Sequence, residues 1–144
     1  MVDHFPDLPF HFPPISHVTF PYRRSPLPSA QTSMPHTDAI VVLTTLSNEE
    51  EGVKLVKELL ERRLIACGTL VPGTRSIYRW QGKTADERET MIVLKTRSAR
   101  VEALQSAFAE LQHYKVPDLL ALSVDSGLDK YVEWINGETS LSLR

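Results

Sequence analysis

Residues 65–96 read IACGTLVPGTRSIYRWQGKTADERETMIVLKT, and the way this stretch folds decides the architecture of the whole chain. Its first half, through Trp80, is rich in β-branched and aromatic residues that favour strands. Pro72-Gly73 interrupts the run, and such a pair inside a strand pattern points to a bulge or bend rather than a clean end. QGKTADER (81–88) reads as a polar turn and ETMIVLKT (89–96) as the returning strand, so the two halves form a long antiparallel hairpin. In an extended strand residues two apart share a face. Ser76, Tyr78 and Trp80 therefore lie on one side, and Ile77 and Arg79 on the other.

The flanks complete the pattern. AIVVLTTL (39–46) is a short apolar, β-branched run that suits a buried strand. Ser47 with Glu50 three residues on is a capping box, followed by Val53, Val56 and Leu60 at helical spacing, joined by Leu59 and Leu64. Arg62 and Arg63 suit the C-terminal end of that helix. After the hairpin, SARVEALQSAFAELQ (98–112) is a second amphipathic helix with Val101, Leu104, Phe108 and Leu111 on one face. VPDLLALSV (116–124) reads as a fourth strand, and Asp129 to Ile135 as a last helix burying Leu128, Tyr131, Val132 and Ile135, with Gly137 as its C-cap.

The order β-α-β-β-α-β plus a terminal helix is the ferredoxin-like α+β pattern, a four-stranded antiparallel sheet with two helices on one face. AIVV, MIVL and LLAL are apolar almost continuously rather than in alternation. Strands apolar on both sides call for cover on both sides. The second face is therefore expected to pack against another subunit.

Composition divides the chain near residue 37. Eight of the ten prolines (Pro6, Pro9, Pro13, Pro14, Pro21, Pro26, Pro28 and Pro35) precede that point and all six glycines follow it. Proline donates no amide hydrogen and fixes φ, so residues 1–37 are expected to form an extended, disordered N-terminal extension. Phe5, Phe10, Phe12 and Phe20 give this extension a potential to dock. Met34 stands just before the ordered pattern of residues 38–144, which raises an alternative start there. His4, His11, His17 and His36 have no regular spacing and read as incidental.

The net charge is −2, which argues against a nucleic-acid binder. RNA-recognition domains share the topology but carry aromatics on the central strands; ETMIVLKT has none. No apolar run approaches the length that spans a bilayer, and the N-terminus lacks a secretory pattern. The single cysteine, Cys67, has no internal disulfide partner, so a cytoplasmic setting is expected. No hydrolase, zincin or phosphate-loop motif occurs, and no enzymatic activity is expected.

CGTLVPGTRSIYRWQGK (67–83), followed by Glu89 and LKT (94–96), resembles the signature of the CutA divalent-cation-tolerance family, and YKVPDLLAL (114–122) and GLDKYVEWI (127–135) continue the likeness. It covers residues 39–136. The resemblance implies a homotrimer of ferredoxin-like subunits, tolerance to divalent metals and copper in particular, and a shape similar to PII signalling proteins. The leading expectation is divalent-metal binding with copper as ligand and no organic cofactor. The alternative is a PII-like signalling or scaffolding trimer that takes a small ligand or a partner protein at subunit clefts.

The candidate metal residues are Cys67, His113 and Asp118. Cys67 matches the family's cysteine, and a thiolate suits Cu(I) or Zn, although a free cysteine also serves as a small buried hydrophobe. Where the family shows HPYE, this chain has QHYK (112–115), so Gln112 holds the histidine position, His113 the proline position and Lys115 the acid position. His113 thus reads either as a substitute ligand or as a surface residue at a helix C-terminus. The candidate cleft or interface residues are Tyr78, Trp80, Lys83, Glu89 and Trp134. Tyr78 and Trp80 either anchor a subunit contact or line a cleft with Lys83 and Glu89, and Lys83 and Glu89 could pair across the hairpin turn. Trp134 is expected to pack the last helix.

Overall fold

The computed structural model describes residues 37–141; the expectations about the N-terminal extension, Met34 and its histidines lie outside them, apart from Thr37. Strand β1 (Ala39–Leu46) leads into α1 (Glu49–Glu61), then β2 (Cys67–Trp80), β3 (Lys83–Arg97), a single 3-10 turn (Ser98–Arg100), α2 (Val101–Leu111), β4 (Leu120–Ser123) and α3 (Asp129–Glu138). The four strands form one sheet in the order β2-β3-β1-β4, with every neighbouring pair antiparallel. This is the expected α+β arrangement.

The hairpin is longer than its sequence indicates. The turn is only Gln81-Gly82, with φ of 47° and 77°, and β3 already begins at Lys83. Two positive φ values in a two-residue loop match the twist of the flanking strands, which lets KTADER extend as strand. The bulge falls where Pro72-Gly73 places it, as a register shift between Val71 and Thr74. Because β1 pairs with β3 only from Thr90 to Arg97, residues 74–89 project beyond the sheet as a two-stranded arm. The guanidinium of Arg75 grips Asp86 there through two hydrogen bonds of 2.7 and 2.6 Å.

Strand parity sorts the core. Val42, Leu46, Ile92 and Leu94 face the helices and meet Leu55, Val56 and Leu59 of α1 and Leu104, Ala107 and Phe108 of α2. On α1 the buried stripe includes Gly52 in place of Val53 and Leu60, because positions 52, 56 and 59 lie one or two turns apart on one face. Gly52 and Gly68 allow α1 to sit close to β2; a Cβ at Gly68 would come within 2.7 Å of Val56 Cγ2. The capping box sits one residue later than expected. Asn48 is the N-cap and accepts from the Glu51 amide at 2.9 Å, while Ser47 Oγ donates to the Glu51 carboxylate. At the other end Arg63 takes φ 52°. Its amide donates to the Leu60 carbonyl and that of Leu64 to the Leu59 carbonyl, a Schellman closure with arginine at the position that favours glycine.

Two boundaries differ at the C-terminal end. The fourth strand covers Leu120–Ser123 rather than 116–124. Pro117 has no amide to donate, and Asp118 turns to bond the end of β1. Helix α3 runs past Gly137 to a C-cap at Thr139, whose hydroxyl donates to the Ile135 carbonyl at 2.8 Å. Of the apolar residues assigned to its buried side, only Ile135 is buried, packing with Ala39 and Ala66. Leu128 is 81% exposed.

Helix α3 thus covers one end of the second sheet face. The rest of that face carries Val41, Leu43 and Val93, half-buried, and Val71, Met91, Leu120 and Leu122, exposed. Leu120 is 67% exposed. Both faces of the sheet are apolar, and among the described residues only the helix-facing one is fully closed.

Candidate functional site

On the second face, where the arm leaves the sheet, lies an open hollow of about 500 Å³. Strand parity builds its floor. Ser76, Tyr78 and Trp80 of β2 stand on one side and Glu87 and Glu89 of β3 beside them, as the pairings Ser76↔Glu87 and Tyr78↔Ala85 require. The opposite wall is the segment between α2 and β4, from Tyr114 to Asp118, with Thr45 beneath it.

The charge in this hollow is unevenly committed. Glu87 Oε2 accepts from the Tyr78 hydroxyl at 3.0 Å. That bond is the main reason the Tyr78 phenol is held above its ordinary pKa, with burial and the charges of Glu87 and Glu89 adding to it. Asp118 Oδ1 accepts from the Thr45 amide at 3.0 Å and from the Thr45 hydroxyl at 3.2 Å, and its carbonyl accepts from Thr44 Oγ1 at 2.8 Å. Asp118 is therefore a structural clamp. Glu89 is paired with Thr74 in the ladder and its backbone carbonyl accepts from Thr74 Oγ1, while its carboxylate has no hydrogen-bond partner among the described residues. Trp80, 43% exposed, forms the outer rim.

Of the residues singled out from sequence, Tyr78, Trp80, Glu89 and Asp118 meet here. Lys83 does not. It stands opposite Trp80 at the turn, six residues from Glu89 along β3, or about 20 Å at strand rise, so Lys83 and Glu89 cannot pair. Glu87, Tyr114, Lys115 and Thr45 belong to the hollow but were not anticipated. Glu87 could have been found by counting two residues back from Glu89; the others arrive through the fold.

Cys67, His113 and Asp118 are not brought together. Cys67 pairs with Lys95, whose ammonium lies 3.7 Å from Sγ, and the Tyr131 hydroxyl lies 3.9 Å from the same atom. Burial, and then the contact with Cys67, raises the pKa of Tyr131, and Trp134 stacks on it with ring centres 5.4 Å apart. Asp118 is fastened to Thr45, which pairs with Met91. Met91 is four residues from Lys95, so about 13 Å of strand separate the two levels. His113 lines a different hollow, of about 560 Å³, between α1 and the end of α2 with Ser47, Glu51 and Lys54. Among the described residues no three His, Cys, Asp or Glu side chains gather as a coordination sphere, so these three residues do not fit a metal within one chain. No helix among the described residues is long and apolar enough to cross a membrane.

Comparison with known proteins places this geometry. Residues 40–138 match the family model described as CutA1 divalent ion tolerance protein. The chloroplastic protein CutA of Arabidopsis thaliana is 38% identical over 70% of this chain and 56% of its own length. The divalent-cation tolerance protein CutA of Thermus thermophilus is 37% identical over 69% of this chain and 96% of its own. The match thus spans little more than half of the plant relative and nearly all of the bacterial one. Among solved structures, CutA1 from Oryza sativa superposes with a TM-score of 0.70 at 34% identity, covering 74% of this chain and 98% of the other. The Thermus thermophilus protein gives 0.69 at 36% identity, over 71% and 99%. Matched by the family model over most of its length and 37–38% identical to these relatives, this chain belongs to the CutA1 divalent ion tolerance protein family.

Proposed function

We propose that the chain serves divalent-cation tolerance as a copper-binding homotrimer in which donors from adjoining subunits complete a site that no single chain holds. The observation that supports this reading is the sheet-side hollow. The Glu89 carboxylate, without a hydrogen-bond partner among the described residues, lines this hollow beside an apolar face on which Val71, Met91, Leu120 and Leu122 are exposed. An apolar face of this kind marks an association surface, and a carboxylate at its edge comes within reach of a neighbour's side chains once two faces meet. Cys67 offers the soft ligand for Cu(I), and Glu89 the hard one for Cu(II). The cytoplasmic setting belongs to the same proposal.

The second reading, a PII-like trimer that takes a small ligand or partner at the cleft, is favoured by a different observation. Asp118 is already spent on Thr45, Cys67 and His113 lie elsewhere, and the hollow presents the aromatic walls of Tyr78 and Trp80.

Calorimetric titration of the full chain with Cu(I) under reducing conditions, and separately with Cu(II), discriminates the two. The metal reading expects stoichiometric binding that Cys67→Ser abolishes for Cu(I) and Glu89→Gln weakens for Cu(II). Binding no stronger than that of an unrelated control protein would transfer the cleft to the ligand reading. Light scattering tests the assembly: a trimer mass that Leu120→Asp reduces to a monomer supports it, and a monomeric parent chain refutes it.

A further inference from the structure

The segment 112–119 separates the two hollows, and Tyr114 lines both of them. Residues 113–118 make no backbone–backbone hydrogen bond among the described residues; the last one before them is from the Gln112 amide to the Phe108 carbonyl, 2.9 Å. Two side chains fasten the segment instead. At one end the Tyr114 hydroxyl accepts from the Ser47 amide at 3.0 Å and lies 3.5 Å from Glu51 Oε2. Those residues belong to the cap of α1, where Ser47 Oγ holds the same Glu51 carboxylate. At the other end Asp118 is clamped to Thr44 and Thr45 at the end of β1. Between the two clips Lys115, Val116 and Pro117 form the wall that faces Trp80 across the sheet-side hollow.

We propose that residues 112–119 act as a strap with two clips, and that Tyr114 and Asp118 are the positioning residues through which the sheet-side hollow is coupled to the cap of α1 on the helix side. A segment without its own backbone ladder opens at low cost when its side-chain anchors are released. The wall of one hollow and the cap of the helix beside the other share one tyrosine hydroxyl. Whatever displaces the wall from the sheet side therefore withdraws the partner of the Ser47 amide, and a change at the cap of α1 is felt at the Trp80 rim. This coupling rests on contacts within one chain and holds whichever reading of the cleft is correct.

The test uses the full chain with Trp134→Phe, so that Trp80 is the sole tryptophan. Tyr114→Phe removes one hydroxyl on the helix side and keeps the ring. It is expected to raise amide hydrogen exchange at Thr45, whose amide is held by the Asp118 carboxylate at the far clip, about tenfold and to increase acrylamide quenching of Trp80 about twofold, with the thermal midpoint of the rest of the domain little changed. Asp118→Ala is expected to raise exchange at the Ser47 amide, held by the Tyr114 hydroxyl, and to increase Trp80 quenching in the same way, and Asp118→Asn, which keeps an acceptor oxygen, to restore both values. Unchanged Trp80 quenching in folded Tyr114→Phe protein overturns the coupling, as does unchanged exchange at Thr45. If Asp118→Ala does not fold, Tyr114→Phe decides alone. Copper titration of the same variants is read separately, so a failed metal reading leaves this result standing.

Discussion

The two faces of the sheet are made from the same strands and nearly the same residue types, yet they end in opposite states. Toward the helices, Val42, Leu46, Ile92 and Leu94 are completely buried, and even Thr96 is satisfied there by donating to the Leu64 carbonyl at 2.7 Å. Toward the other side, one residue away in each strand, Val71, Met91, Leu120 and Leu122 remain exposed, and the polar side chains gather into a hollow. Residues at the first face are constrained by packing density, so their cost of change is a property of the chain alone. Residues at the second face are constrained by whatever meets it.

The largest expected effect tests that contrast directly. Leu94→Ala removes a fully buried side chain and should cost about 2–5 kcal/mol in denaturant unfolding. Leu120→Ala, at an exposed position on the other face, should cost well under about 1 kcal/mol at dilutions where the chain is a monomer. Equal costs for the two at such dilution would erase the distinction. Next, Gly68→Ala places a methyl within 2.8 Å of both Val56 Cγ atoms and should destabilise by about 1–3 kcal/mol. The double variant with Val56→Ala should recover much of that loss, because the atoms in the way are gone.

A smaller effect of opposite sign is expected at Arg63. Its φ of 52° suits glycine, so Arg63→Gly should stabilise by about 0.5–1 kcal/mol. A loss of stability would mean that the arginine side chain matters more than its backbone.

The smallest effect belongs to the second face. A raised folded-state phenol pKa, as at Tyr78, stabilises the fold below the ordinary tyrosine range, and that contribution is lost as pH rises through the folded value. Ultraviolet titration of the phenolates should find Tyr78 and Tyr131 ionising late, and Glu87→Gln should return one of the two, Tyr78, toward about pH 10. No difference between parent and variant would show that the Tyr78–Glu87 bond is not kept in solution.

The helix-facing side was legible in the sequence because strand parity and helical spacing are local. β1 falls on Ala39–Leu46 as read, the bulge falls at Pro72-Gly73, and Leu104 and Phe108 point inward. What went astray were places where one side chain overrides a pattern. Asn48 outcompetes Ser47 as cap because its oxygen reaches the Glu51 amide. Asp118 ends the apolar run VPDLL by bonding β1 instead of extending β4. Gly137 does not stop α3, because the Thr139 hydroxyl supplies the closing bond. In the site, parity alone paired Tyr78 with Trp80. Nothing local could announce that Tyr114 would stand across from them, since its position depends on the packing of α2. For the same reason Cys67, His113 and Asp118, plausible ligands by type, proved to be separated by the geometry of the sheet.

The uneven sequence separation of the sheet contacts has a kinetic consequence. The contact between Cys67 and Lys95 joins residues 28 apart, that between Asp38 and Ser98 residues 60 apart, that between Thr44 and Asp118 residues 74 apart, and that between Thr37 and Val124 residues 87 apart. Loop-closure entropy rises with separation, so the hairpin with its tight Gln81-Gly82 turn can close early, and the four-residue β4 is the last piece to dock. Folding is then expected to proceed from the arm inward, with the strap and β4 as the late, low-stability unit. The same segment would be the first to come away in the native state, which would let the cleft rearrange on a timescale far shorter than that of global unfolding.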